Sequence, residues 1–443
     1  MTDLASIFLH TDQTHFSNPP NLWESACTSP LPSHEKTLDR IGTCLLEPLM
    51  CSNDLLVNDR VQLTSAEIPI FRNYVETVSR WIDSFSRDQP FYSAVPLMAL
   101  NCPVLMYSCL ALSAKHSALK APADEERKCD NVAIFYHQKA VKALSTLLAD
   151  SEWASNDAIL ASSIILSTYE MLDVAGESFG SHLKGVAFFL QSQGVNGDSC
   201  SIKGAAYWTW FRHEIWAALQ TGRRMFLDDK YWQPKVVENF EGLSVEDIAN
   251  RAIFVFGQCV SFFNDDTIGE GLDADEKRKA QRTRATELDT ALETWKEKLP
   301  LSTAYFLFDE SPPTERSASY RFPSQWFIYP QSAIALQVYH ASKILLNLHY
   351  PPETVENACM GRFQHIDTRR CIERSREAIF QISNAGISDT WSLLSTQCLY
   401  VAGLVTNGVL ERKRTLELIE RCQESSGRRT KSLADTLREL WAQ

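Results

Sequence analysis

The sequence predicts an all-α protein: one large helical domain of a dozen or so helices. Three observations predict it. Apolar residues recur at three- and four-residue steps in segment after segment from Ile68 onward, the period of an amphipathic helix. Strict alternation never runs longer than a few residues, so no strand is expected. The 443 residues are 44% hydrophobic and 22% charged and include 11 Trp. That is enough apolar bulk for a sizeable core and too many aromatics for a disordered chain.

The pattern starts late. Pro19, Pro20, Pro30 and Pro32 interrupt the opening. Residues 1–65 read as a poorly patterned extension with one short helix near Leu38–Met50. The helical domain is expected over 66–443. A loop or subdomain boundary is expected near 300–324, where Pro300, Pro312, Pro313 and Pro323 cluster.

The helices follow in order. Phe71, Tyr74, Val75, Val78, Trp81, Ile82 and Phe85 form one stripe. Phe91–Ala114 is 24 residues without a charge, long enough to span a bilayer. Pro96, Pro103 and Asn101 argue against that. The segment reads as a loop or short helix followed by a core helix over about 103–119, with Pro103 in its first turn. Residues 124–149 open with Asp124, Glu125 and Glu126, which suit a helix N-terminus. Asn156–Asp157 caps a helix over 156–174. The connection Gly176–Gly180 leads to a helix over 181–193, stopped by Gly194 and Gly197.

A dense aromatic helix begins at Ala205, and further helices are expected at 245–264 and 273–298. The latter is highly charged but keeps Leu288, Leu292, Trp295 and Leu299 on a narrow stripe. A helix over about 325–349 ends before Pro351–Pro352. Helices near 365–385, 390–408, 411–423 and 430–441 complete the chain. No repeat at solenoid periods is present.

The chemistry-bearing motifs are few. The twelve cysteines include no Cys-x-x-Cys pair. Cys44–Cys51 and Cys102–Cys109 have the six-residue interval of a binuclear zinc cluster. The partner three residues earlier is Ile41 or Ala99, so no zinc site is expected. Dispersed cysteines without a signal peptide read as reduced intracellular thiols. His213–Glu214 lacks the second histidine of a His-Glu-x-x-His helix. Asp228–Asp229 and Asn264–Asp265–Asp266 with Glu270 invite a terpene-cyclase-like magnesium site. Tyr231 and Trp232 stand where a third carboxylate would be needed, so helix-end acids explain both clusters. Gly-x-Ser-x-Gly, P-loop and dinucleotide motifs are missing. Lys277–Arg278–Lys279, Arg412–Lys413–Arg414 and Arg428–Arg429–Thr430–Lys431 read as solvated faces. A net charge of −12 repels phosphate backbones, so direct nucleic-acid binding is not expected.

The segment AAYWTWFRHEIWAALQTGRR (205–224) carries the most information. Trp208, Arg212, Glu214, Ala217–Ala218 and Gln220 match a signature that resembles the regulatory, or middle homology, region of fungal binuclear zinc-cluster transcription factors. CPVLMYSCLALSAKH (102–116), FYHQKAVKALSTLL (135–148), DAILASSIILSTYEMLD (157–173), HLKGVAFFLQSQG (182–194) and WFIYPQSAIALQVYHASKILLNLHYPP (326–352) resemble it in the same order. The likeness covers roughly residues 66–430. It implies a transcription-factor-like regulatory protein, nuclear or cytoplasmic, with secondary metabolism as one setting. It would sense a small hydrophobic molecule or a partner transcription factor, with no cofactor, metal or membrane. Arg212 and Glu214 are expected at structural positions. Two residues apart on a helix, they face different ways and each needs its own partner. The family's zinc-cluster DNA-binding domain is not visible in these 443 residues, so DNA binding is not carried over.

The alternative is an enzyme on the same fold, a cofactor-independent cyclase or isomerase that templates a hydrophobic metabolite in an aromatic pocket. Its candidate pocket residues are Tyr169, His182, Trp208, Trp210, His213, Tyr231 and Trp232. The plainer reading of all seven is core aromatics and satisfied histidines, and the regulatory reading is preferred.

Overall fold

The computed structural model describes residues 56–57, 60–148, 156–173, 180–265, 268, 271, 273–308, 323–349, 358–426 and 431–442. The expected helix at Leu38–Met50, the connection at 176–179 and most of the 300–324 loop lie outside them. The chain divides into two compact units. One takes Met1–Asp83, Asp88–Val174 and Ser178–Trp210, and the other Ser84–Arg87, Ala175–Glu177 and Phe211–Gln443.

In the first unit the uncharged 91–114 stretch breaks into three helices: α3 Pro90–Ser93, α4 Val95–Ala99 and α5 Pro103–Lys120. Each has a proline in its first turn, where the missing N–H costs nothing. α5 is the centre. Leu105, Met106, Cys109, Leu110, Ala111 and Leu112 are fully buried because α6 Ala123–Leu148 and α7 Asp157–Asp173 pack on it. Lys115, buried on α5, reaches Asp130 at 2.7 Å. Among the described residues no helix is long and apolar enough to cross a membrane.

Before α3 the chain runs through α1 Glu67–Asn73, a π-helical stretch Tyr74–Val78 and α2 Ser79–Ile82. The seven-residue apolar stripe thus spans a local widening that periodicity does not reveal. Glu67 is buried and accepts hydrogen bonds from the Thr64 backbone N–H at 2.6 Å, the Thr64 hydroxyl at 2.8 Å and the Tyr136 hydroxyl at 2.6 Å. A buried carboxylate needs such donors. α8 Gly180–Ser192 and the first half of α9 Ser201–Thr221 complete the unit, which ends within α9 at Trp210.

The second unit continues α9 from Phe211. α10 Val245–Phe263 starts at Ser244, whose side chain accepts from the Asp247 N–H at 3.1 Å. α11 Ala274–Glu297 is capped likewise by Asp273. Only a narrow stripe of α11 is buried: Ala285, Leu288, Leu292 and Trp295. The Trp295 indole donates to the Ile248 carbonyl at 2.9 Å. α12 Pro330–His349 packs on α10 and on α13 Ala358–Asn384. α14 Asp389–Leu404, α15 Val409–Ser426 and α16 Lys431–Ala442 follow.

One expectation is corrected. Strands are present: β1 Leu56–Val57 pairs antiparallel with β2 Arg60–Val61, and β3 Tyr305–Phe308 with β4 Ser324–Phe327. Two to four residues are too few for a period of two to emerge. All four residues of β3 are apolar, so nothing alternates.

The thiols of Cys109, Cys259 and Cys398 are buried in helices. Burial pushes Cys259 up to about 12 and raises the other two further. Cys200 is exposed.

Candidate functional site

The aromatic helix α9 ends at a glycine. Gly222 has φ +63°, a conformation only glycine adopts without strain. The Arg223 N–H then bonds back to the Ala218 carbonyl at 3.1 Å, as in a Schellman stop. This reversal returns Arg223 along the helix. Its guanidinium meets Glu214 twice, Nη1–Oε1 at 2.6 Å and Nη2–Oε2 at 3.0 Å. Glu214 is fully buried and also accepts the Phe226 N–H at 2.8 Å. Burial raises its carboxyl above the ordinary range, and Arg223 and Phe226 oppose that rise. Asn264 on the far side donates to the Ala218 and Arg223 carbonyls, both at 3.0 Å. The turn is braced from both ends. Arg212 is buried with its guanidinium 5.3 Å over the Phe85 ring.

One acid of each acidic cluster has a cationic partner. Asp229 pairs with Arg284 at 2.6 Å and Asp265 with Arg224 at 3.2 Å. Among the described residues no three His, Cys, Asp or Glu side chains gather as metal ligands.

The seven candidate pocket residues fall in both units. In the first, the Trp208 indole donates to the Gly197 carbonyl at 3.3 Å and the Trp210 indole to the Leu183 carbonyl at 2.9 Å. Tyr169 stacks on His137 with centroids 4.3 Å apart. His182 Nδ1 lies 2.7 Å from Glu170 Oε1. Burial alone would lower this histidine, but the carboxylate outweighs it and the imidazole is raised above its ordinary value. In the second unit, His213 is buried, Trp232 stands edge-on to Phe254 at 5.6 Å, and partial burial raises the Tyr231 hydroxyl.

Two cavities in the second unit are lined by none of these seven. The first is an apolar seam along Ile248, Trp295 and Ala335 with no room for a water molecule. The second is a cleft of about 390 Å³ between α11, α12 and α13. Its floor is built from α12. The Tyr339 hydroxyl donates to Glu293 at 2.8 Å. Lys343, one turn on, donates to Glu293 at 2.9 Å and to Asp289. Both carboxylates hold Lys343 above its ordinary value against the pull of burial. His340 lies 3.3 Å from the Ser375 hydroxyl. Burial, helped by the Lys296 charge, pushes its imidazole down to about 3, so it is neutral at physiological pH. Lys296 lies 4.9 Å over the Tyr339 ring.

The α13 wall brings Arg370 and Arg374, with Cys371 and Asp367. Sequence reading did not single out these residues. Its available signal was Lys343, a charge in the middle of the apolar run of α12, and the Arg370/Arg374 spacing of one helical turn.

A family profile described as the fungal specific transcription factor domain matches residues 69–443. The chain belongs to that family, and membership supports a transcription-regulatory role. No curated protein and no solved structure matches the chain.

Proposed function

We propose that this chain is a regulatory protein whose helical domain senses a small molecule and passes the signal to a partner transcription regulator in the nucleus. The observation that carries the sensing step is the 390 Å³ cleft between α11, α12 and α13. Its volume lies in the range of small-molecule sites. Six of its ten lining residues are charged, which favours a charged ligand over a hydrophobic one. A ligand bridging three helices would bias their packing, and only such a difference between bound and free states transmits a signal.

The test is transcript profiling of the host organism with the gene deleted, and with the gene restored as wild type or as Arg374→Gln. Deletion should change a defined set of transcripts. The wild-type copy should restore them and the variant should fail to, at equal protein level. Unchanged transcripts on deletion would sink the regulatory reading.

A further inference from the structure

We infer that the cleft between α11, α12 and α13 takes a small organic anion carrying at least two negative charges. This rests on the sensing reading above and adds the ligand's chemical class. The charges lining the cleft run against the chain. The protein as a whole is at −12, yet four cations, Lys296, Lys343, Arg370 and Arg374, face two carboxylates, Glu293 and Asp367.

Their engagement is unequal. Lys343 is held by Glu293 and Asp289. Arg370 approaches Asp367 only at 3.8 Å, with both side chains mostly exposed, a contact of little strength. Arg374 makes no ion pair among the described residues. Lys296 rests on the Tyr339 ring. Three cations are therefore available, two from α13 and one from the opposite wall on α11. Arg370 and Arg374 are one turn apart on the same helix face. Each guanidinium offers a planar fork that matches a carboxylate or phosphate group. One negative charge would leave the opposite wall unanswered, whereas two charges on a short skeleton meet both. The neutral imidazole of His340 and the Ser375 hydroxyl supply uncharged polar contacts at the base.

The experiment is titration calorimetry on the full chain at fixed ionic strength. The probes are citrate, inorganic phosphate and uncharged triethyl citrate. Citrate should bind measurably and triethyl citrate should not. The Arg370→Gln/Arg374→Gln pair lies on an exposed face, so it should fold as wild type and bind citrate about tenfold or more weakly. Citrate stronger than phosphate assigns carboxylates as the recognised groups, and the reverse order assigns a phosphate ester. Binding of neither anion, or equal binding by the double variant, overturns the inference. Binding of triethyl citrate alone overturns the ligand class while leaving the sensing reading standing. A variant that also fails to restore transcripts ties the cleft to output.

Discussion

Arg223 and Glu214 form a two-pronged ion pair nine residues apart, one partner fully buried and the other on the glycine-closed turn. The pair is the point at which the signature helix and the following turn become one unit. Removing the arginine leaves a carboxylate in the interior. Arg223→Ala should therefore cost about 3–5 kcal/mol. Glu214→Gln frees an arginine that water can reach and should cost about 1–2 kcal/mol. Urea unfolding at pH 7 gives both values, and equal losses would contradict this picture. The pH sign is set by the raised Glu214 carboxyl: its contribution falls as pH rises through the folded value. Arg223→Ala should accordingly recover stability on acidification.

Gly257 on α10 has no space for a side chain. A Cβ there would lie 2.8 Å from two Phe211 ring carbons and from Met225 Sδ. Gly257→Ala should destabilise by about 1–3 kcal/mol through overpacking. Adding Phe211→Leu should return part of that loss, a coupling between neighbours that a double-mutant cycle measures. Strict additivity would show that the contact is not the cause.

His116 makes the fold sensitive to acid. Burial first, then the Lys120 charge, lowers its imidazole to about 4. Asn73 Nδ2 lies 3.2 Å from Nδ1, and Trp81 stands edge-on at 4.7 Å. A folded value below the unfolded value of about 6.5 means that the unfolded chain takes up the proton first. Stability should fall as pH drops from about 6.5 to 4, by about 3 kcal/mol for this residue. His340 acts in the same direction and His182 in the opposite one. His116→Gln should flatten the acid limb of a stability–pH curve, and a curve of unchanged slope would remove His116 as its source.

Lys343→Met should leave Asp289 and Glu293, one turn apart on α11, without the cation that pairs with both. The Glu293 carboxyl, now held low by Lys343 and Tyr339 against burial, should rise. The loss of stability should be about 1 kcal/mol, because both carboxylates are partly exposed to water. Carboxyl-carbon NMR titration of Glu293 reads the shift directly, and an unmoved titration would exclude the contact.

The sequence revealed its helices because their packing is periodic. Leu288, Leu292 and Trp295 are spaced as a stripe and are buried as one. The Pro103 start of α5 was legible for a similar local reason, since proline fixes its own backbone angle. β3 was not legible, because Tyr305–Phe308 pairs with Ser324–Phe327 across a gap in sequence and carries no alternation of its own. The cleft was hidden in the same way. Arg374 on α13 and Lys296 on α11 are 78 residues apart in number, and nothing local to either reports that they line the same cleft from opposite sides of α12. Arg212 and Glu214 stood out as charges in an apolar helix, but the reach of Arg223 depended on the positive φ at Gly222, which composition alone does not give.

The sulfur atoms of Cys109, Cys259 and Cys398 give this protein a built-in clock. Reaction with an alkylating reagent requires the thiolate, and in the folded state these three groups are both shielded and held far toward the protonated form. Cys200, at the surface, would be consumed at once. The later, slower uptake of label would then record each opening of the interior, with Cys109 marking the first unit and Cys259 and Cys398 the second. Mass spectrometry of a timed labelling series could follow the two halves separately, without adding a probe to the chain.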